Sequence, residues 1–246
     1  MSENNCNKWF EDWFDSPYYH LLYKNRDYSE AESFIDNLVS FLKPEYGSRF
    51  LDLGCGKGRH SIYLNKKGFD VTGIDLSENS IAAAKKFENE RQNFYVHDMR
   101  KLFRTNYFDC VVNLFTSFGY FDNKRDDNAT INAVYQSLKP DGYFVIDFFN
   151  AQKVINCLVA EETKIIEGVE FHITKKVENN FIVKQIQFND KGKNYDFEER
   201  VKALTFSDFE KYFSANRLKI VHLFGNYQLE KFDEVNSDRL IIISKK

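Results

Sequence analysis

The segment Phe50-Leu51-Asp52-Leu53-Gly54-Cys55-Gly56-Lys57-Gly58-Arg59 constrains this chain more than any other. An apolar run that reads as a buried strand ends in three glycines at alternate positions. Helical periodicity then resumes and continues to about Lys67, where Gly68 stops it. Glycine accepts the left-handed backbone that a sharp reversal needs, and it lets a ligand approach the main chain closely. The helix that follows offers unpaired N–H groups to a carboxylate or a phosphate. A strand, a tight turn and a helix in that order build a parallel α/β sheet.

The chain keeps that rhythm on both sides. Residues 69–75, 93–98, 108–115 and 143–149 read as further strands. Ser77 caps a helix carrying Ile81, Ala84 and Phe87, and a second runs from about Asp126 to Leu138. The turn Lys139-Pro140-Asp141-Gly142 leads into the fifth strand. Upstream, Ser29 and Glu32 form a capping box for a helix over 29–43, which Pro44 ends.

After about residue 151 the period changes. Val169, Phe171, Ile173 and Val177 alternate with Glu170, His172, Thr174 and Lys176, a strand with one wet face. Strands over 181–189 and 195–204 follow, with turns at Asn179-Asn180 and around Gly192, so an antiparallel meander is predicted. Ser207-Asp208-Phe209-Glu210 opens another helix, and residues 218–224 and 239–244 return to the main sheet. The predicted division is an aromatic lid segment over 1–28, a core over 29–150, an inserted β subdomain over 151–205, and a closing helix and strands over 206–246.

Lys+Arg 34 against Asp+Glu 37 gives a net charge of -3, which argues against a dedicated nucleic-acid binder and gives no attraction to anionic membranes. Cys6, Cys55, Cys110 and Cys157 form no C-x-x-C, and no histidine stands beside two of them, so no metal is expected. Residues 1–16 lack the pattern of a signal peptide, and no apolar run is long enough to span a bilayer. A reduced, cytoplasmic protein is expected, as a monomer or homodimer.

The spacing G-x-G-x-G differs from the G-x-G-x-x-G of dinucleotide binders. Asp52 precedes it, where a carboxylate can accept from an ammonium group. Asp75 ends the second strand, placed for ribose hydroxyls, and Asp98 ends the third, placed for an adenine amino group. Three acids at three consecutive strand tips describe a nucleoside site with an amino-acid end.

On these motifs the chain resembles class I S-adenosylmethionine-dependent methyltransferases, of the small-molecule type with an inserted antiparallel sheet. The resemblance implies an α/β, Rossmann-like seven-stranded sheet with its last strand antiparallel, helices on both faces, and the β meander as an insertion. It implies S-adenosylmethionine as cofactor. Asp52, Gly54, Gly56 and Gly58 match the family's first motif, with Arg59 beside it. Asp75 and Leu76 match the ribose and adenine contact, and Asp98 and Met99 the adenine edge. Leu114 follows the fourth strand. Phe14-Asp15-Ser16-Pro17-Tyr18, with Asp27-Tyr28 downstream, resembles the family's lead-in, which brings Tyr18 toward the cofactor, although relatives carry Tyr-Asp where this chain has Tyr18-Tyr19.

The acceptor is expected at the same sheet edge, among His20, Tyr23, Ser117, Tyr120 and Phe149. His20 is the histidine best placed as a base, but no catalytic residue is named, since displacement at a sulfonium needs alignment more than acid–base help. His97 and His222 read as structural, His172 as solvated, and Lys175-Lys176 as surface charge. Arg200 either orients an acidic substrate group or pairs with Glu198. Trp9, Phe10, Trp13 and Phe14 read as a staple that packs the first helix on the sheet. Asn113-Leu114-Phe115-Thr116 is not the Asn/Asp-Pro-Pro-Tyr/Phe of enzymes that methylate base amines. A small-molecule acceptor, at nitrogen or oxygen, is the first reading. RNA or protein methylation, a dinucleotide-dependent oxidoreductase and a non-catalytic adenosine sensor stand as alternatives.

Overall fold

Strand β1 (Arg49–Leu53) is buried along nearly its whole length because it pairs on both sides. In the computed structural model, which describes residues 13–23 and 28–246 apart from the side chains of His20 and Tyr28, it lies inside a seven-stranded sheet. Its partners are β2 (Asp70–Asp75) and β4 (Phe108–Asn113), both parallel to it. Beyond them lie β3 (Gln92–Val96) and β5 (Leu138–Phe149), and then the last strands, β10 (Lys219–Phe224) and β11 (Arg239–Lys245). The order is β3-β2-β1-β4-β5-β11-β10. β11 runs antiparallel to both its neighbours, as expected for residues 239–244.

Period 2 sends alternate residues of these strands to opposite layers. Leu51, Leu53, Val111, Phe144 and Ile146 pack with helix α5 (Lys124–Ser137) and helix α7 (Phe206–Ala215) through Ile131, Val134, Phe209 and Phe213. Phe50, Val71, Cys110, Val112 and Val145 pack with helix α2 (Tyr28–Leu42) and helix α3 (Arg59–Lys66) through Phe34, Ile35, Leu38 and Leu64. Helix α4 (Glu78–Ala84) begins at Ser77, whose hydroxyl accepts the Ser80 N–H at 2.9 Å, the cap read from the sequence.

A second, four-stranded antiparallel sheet holds β6 (Glu161–Ile166), β7 (Val169–Glu178), β8 (Phe181–Asp190) and β9 (Lys193–Lys202). The turn at Asn179-Asn180 is present, with φ of 50° and 64°. Three features differ from the sequence reading. The sheet has four strands rather than three. β6 is an exposed edge strand that buries too little to leave a period-2 pattern. α7 starts at Phe206 with Thr205 and Asp208 as its capping box, two residues ahead of the Ser207 box. Both spacings fit a box, and burial of Phe209 and Phe213 selects the first. β5 also starts at Leu138, so that Lys139-Pro140-Asp141-Gly142 lies within its span and not in a turn before it.

Helix α1 (Pro17–Leu22) packs on one face of the second sheet, as does Trp13 just before it. Trp13 is fully buried, its ring 4.7 Å from that of Phe197. Trp13 therefore staples the N-terminal segment to the second sheet, not to the first helix as expected; Trp9 and Phe10 lie outside the described residues. Helix α6 (Ala151–Asn156) joins the two sheets in sequence. Among the described residues no helix is long and apolar enough to cross a membrane.

Candidate functional site

The Gly-rich turn takes the backbone its composition allows: Gly54, Gly56 and Gly58 have φ of 72°, 54° and 84°. The three have different surroundings. A Cβ on Gly54 would stand 2.7 Å from the Ser117 Cβ, and one on Gly58 would stand 2.8 Å from the Phe94 ring. A Cβ on Gly56 would meet nothing within 4 Å, because Gly56 opens into a cleft of about 940 Å³ at the carboxyl edge of the seven-stranded sheet.

Asp75, at the tip of β2, is tied to this turn. One carboxylate oxygen accepts the Gly56 N–H at 2.8 Å and the other the Ser77 N–H at 2.9 Å. Burial pushes its carboxyl above the usual range, and the two N–H bonds oppose that shift. Leu76, Met99 and Leu114 line the same cleft with Arg59, whose guanidinium lies 4.3 Å from the Phe115 ring centroid. Asp98 lines it too, gripped by Arg100 at 2.7 Å. Burial works against its charge, but the Arg100 bonds outweigh that and hold the carboxyl below its usual range.

Asp52 is elsewhere. It is 1% exposed, it does not line the cleft, and it accepts the Ser61 hydroxyl at 2.6 Å. Alternation along β1 turns it, with Phe50, toward the layer that holds α3. Burial pushes its carboxyl up to about 6. It therefore does not stand where the expected contact with an ammonium group would need it, and its carboxylate is bonded to α3 through Ser61 instead. Tyr18 is also displaced: its hydroxyl donates to Asp190 at 2.7 Å and its ring packs on Phe188 and Tyr195, away from the cleft.

Of the expected acceptor residues, Tyr23, Ser117, Tyr120 and Phe149 all line the cleft, while the His20 side chain lies outside the described residues. Phe14, Tyr19, Ile182 and Val201 join them. His97, expected to be structural, lines the cleft and is half-buried. His222 is exposed; it stacks on Phe224 and meets Phe41 edge to face. Arg200 does not line the cleft; it lies over the Phe181 ring and faces Asp122 at 3.7 Å. Lys175, expected to be solvated, lines the cleft and pairs with Glu162 at 2.7 Å.

Three features went unread in the sequence. The first is the loop after β4. Phe115 and Thr116 both adopt left-handed backbone, with φ of 56° and 63°, which side-chain-bearing residues avoid. Asp147, fully buried on β5, holds them there. Its carboxylate accepts the Phe115 N–H at 2.8 Å, its backbone carbonyl accepts the Thr116 N–H at 3.0 Å, and Arg239 pairs with it at 2.7 Å. The second is His60, buried against Phe115 and pushed down to about 3 by burial and by Arg59, so it stays neutral at the cleft wall. The third is a polar cluster on the second sheet. Glu199 accepts Trp13 Nε1–H at 2.5 Å and the Tyr23 hydroxyl at 2.7 Å, and Lys184 sits against both Tyr23 and Glu199. Burial pulls the Lys184 ammonium below its usual range. Among the described residues no three His, Cys, Asp or Glu side chains are grouped to hold a metal.

The residues present fit an adenosine cofactor with an amino-acid end. The open space over Gly56 admits a ligand to the main chain, the Asp75 oxygens retain lone pairs for hydroxyl donors, and Leu76 and Met99 give apolar faces beside them. Residues 50–142 match the family described as methyltransferase domain. A dTDP-3-amino-3,4,6-trideoxy-alpha-D-glucopyranose N,N-dimethyltransferase of Streptomyces venezuelae is 31% identical over 131 residues, 52% of this chain and 54% of that protein. A glycine/sarcosine N-methyltransferase of Halorhodospira halochloris is 32% identical over 135 residues, 52% of this chain and 50% of that protein. The chain spans about half the length of the curated relatives it matches. In fold it is similar to a solved S-adenosylmethionine-dependent methyltransferase from Clostridium acetobutylicum ATCC 824, with a TM-score of 0.78 and 23% identity over 98% of this chain and 99% of that one. From β1 into β5 the chain is thus similar in sequence to a methyltransferase domain, and over nearly its whole length it shares the fold of that solved S-adenosylmethionine-dependent methyltransferase.

Proposed function

We propose that this chain transfers a methyl group from S-adenosylmethionine to a small-molecule acceptor, at nitrogen or oxygen. The observation that carries the reading is the floor of the cleft, where Gly56 opens to free space and its N–H is held by Asp75. When bound, the cofactor supplies a methyl already activated by a sulfonium charge. Asp75 would hold the ribose through its remaining lone pairs. Leu76, Met99 and Asp98 would take the adenine. Gly54, Gly56, Arg59 and Leu114 would take the amino-acid end. The chain's remaining task is to orient the acceptor and exclude water, and orientation supplies ~7–11 kcal/mol in favourable cases.

The small-molecule reading draws support from the walls. Phe14, Tyr19 and Tyr23 from the N-terminal segment and Ile182 and Val201 from the second sheet close over the cleft, which suits a compact acceptor better than a polymer. Phe14, Tyr19 and Tyr23 act as the lid in this reading. The two relatives named above act, by their names, on amines of small molecules. An amine that is neutral before attack needs orientation but no strong base, in keeping with a cleft whose buried histidine, His60, is held neutral.

Calorimetry tests the cofactor. S-adenosylmethionine and S-adenosylhomocysteine are expected to bind saturably, the second more tightly. Asp75→Ala is expected to weaken both by about 1–3 kcal/mol, the cost of unpaired hydrogen-bonding groups. Absence of binding to the unaltered chain would overturn the reading. Labelled methyl transfer into a cell extract, split into small molecules, RNA and protein, tests the acceptor. Label in RNA or protein alone would replace this proposal with the polymer reading.

A further inference from the structure

On the face of the second sheet that meets the cleft, β7, β8 and β9 carry one charged row between two apolar ones. Lys184 on β8 lies directly across from Lys175 on β7 and from Glu199 on β9. The next row on one side is Ile173, Ile186 and Phe197, and on the other Val177, Ile182 and Val201. All three charged residues line the cleft. Lys184 and Glu199 keep only 13% and 15% of their side chains exposed, and Lys175 keeps 27%.

Such a row is costly. Like charges directly opposite each other across strands repel, and burial removes the water that would screen them. Charged residues stand where the alternation calls for apolar ones, and local rules are broken most often where function requires it. Glu199 faces Lys184 at 3.5 Å and also accepts from the neutral donors Trp13 and Tyr23, while both ammonium groups line the cleft. Lys175 has Glu162 beside it, but Glu162 is on β6 and does not line the cleft.

We propose that this row is the acceptor subsite, and that the acceptor carries an anionic group, a carboxylate or a phosphate, which Lys184 and Lys175 receive. The assignment rests on the methyltransferase reading for the word acceptor, and on the row alone for the charge. An anion there meets two donors in a poorly solvated pocket, where charge-assisted hydrogen bonds are strong. It relieves the repulsion between the lysines, and it fixes one end of the acceptor on the sheet so that the other end reaches toward the Gly-rich turn.

The test uses the full chain saturated with S-adenosylhomocysteine, titrated calorimetrically at constant ionic strength with inorganic phosphate, with succinate and with tetramethylammonium. Saturable binding of phosphate or of succinate is expected, and whichever binds more tightly names the group. Lys184→Gln and Lys175→Gln are each expected to weaken that binding about tenfold or more. Lys176→Gln, on the opposite face of β7, is expected to leave it unchanged. The S-adenosylhomocysteine titration of each variant reports whether it is folded. No saturable anion binding, equal binding in all three variants, or binding of tetramethylammonium instead would overturn the proposal. Failure of S-adenosylhomocysteine itself to bind the unaltered chain would overturn the cofactor reading.

Discussion

At the scale of single residues, three glycines that look alike in sequence have separate jobs. Gly58 is required by packing, since an added methyl would press on Phe94 and the backbone is left-handed. Gly56 is required by the cleft. Gly58→Ala is expected to cost about 1–3 kcal/mol of stability, as overpacking does. Gly56→Ala is expected to cost only about 1 kcal/mol, the left-handed penalty, while abolishing S-adenosylhomocysteine binding. Urea unfolding and calorimetry on the two variants separate the effects, and cofactor binding by Gly56→Ala at full strength would show that the turn is not the cradle. Asp52 gives a pH signature. Its folded pKa of about 6 lies above the unfolded value, so the unfolded state holds fewer protons between about pH 4 and pH 6 and stability falls as pH rises through that window. Asp52→Asn keeps an acceptor for Ser61 without the buried charge. It is expected to recover stability on the order of 3 kcal/mol relative to the unaltered chain above pH 6. Parallel pH dependences for the two proteins would refute this. The sequence shows three acids at three strand tips; which layer each carboxylate enters depends on strand alternation and the packed helix, and that is why Asp52 lies outside the cleft lining while Asp75 borders it.

At the scale of elements, the loop between β4 and α5 shows what sequence does not disclose. Leu114, Ser117 and Tyr120, expected near the cofactor or acceptor from their position after a strand, line the cleft. The device that holds the loop was not legible, because Asp147 and Arg239 lie 92 positions apart and meet only through the pairing of β11 with β5. Nothing local in Phe115-Thr116 announces left-handed backbone. Strain of this kind persists only where surrounding bonds impose it. Asp147→Asn keeps the carbonyl bond to Thr116 but removes the charge opposite Arg239. It is expected to cost roughly 3–5 kcal/mol, as breaking one partner of a buried pair does, and to speed hydrogen exchange at the Phe115 amide above that of the β4 interior. Unchanged exchange there would mean that the loop holds its shape without Asp147. The edge strand β6 was missed for a different reason. Its side chains are mostly exposed, so selection for burial has left no pattern to read.

At the scale of the whole molecule, the cleft is a gap between two sheets, and its properties depend on how they are joined. The base is a buried ion pair. Lys202, the last residue of β9, pairs with Asp127 of α5, and Tyr212 of α7 donates to the same carboxylate at 2.9 Å. The front is the N-terminal segment. Trp13 and Tyr23 donate to Glu199 on the second sheet, while Asp15 accepts from Ser77 and from Asn79 at the start of α4. The segment therefore spans from the second sheet to the start of α4, just beyond Asp75. These two joints have different energetics. The base is dry, and a lone buried charge there is expensive. The front is partly exposed, where a polar contact contributes little to stability but can govern escape of a ligand beneath it. Asp15→Ala is accordingly expected to leave the urea midpoint nearly unchanged, within about 0.5 kcal/mol, and to raise the S-adenosylhomocysteine dissociation rate about tenfold, equivalent to about 1.4 kcal/mol. Stopped-flow displacement measures the second quantity directly. A variant that loses stability yet releases ligand at the original rate would make the segment a strap that holds the fold together, with no part in retaining the cofactor.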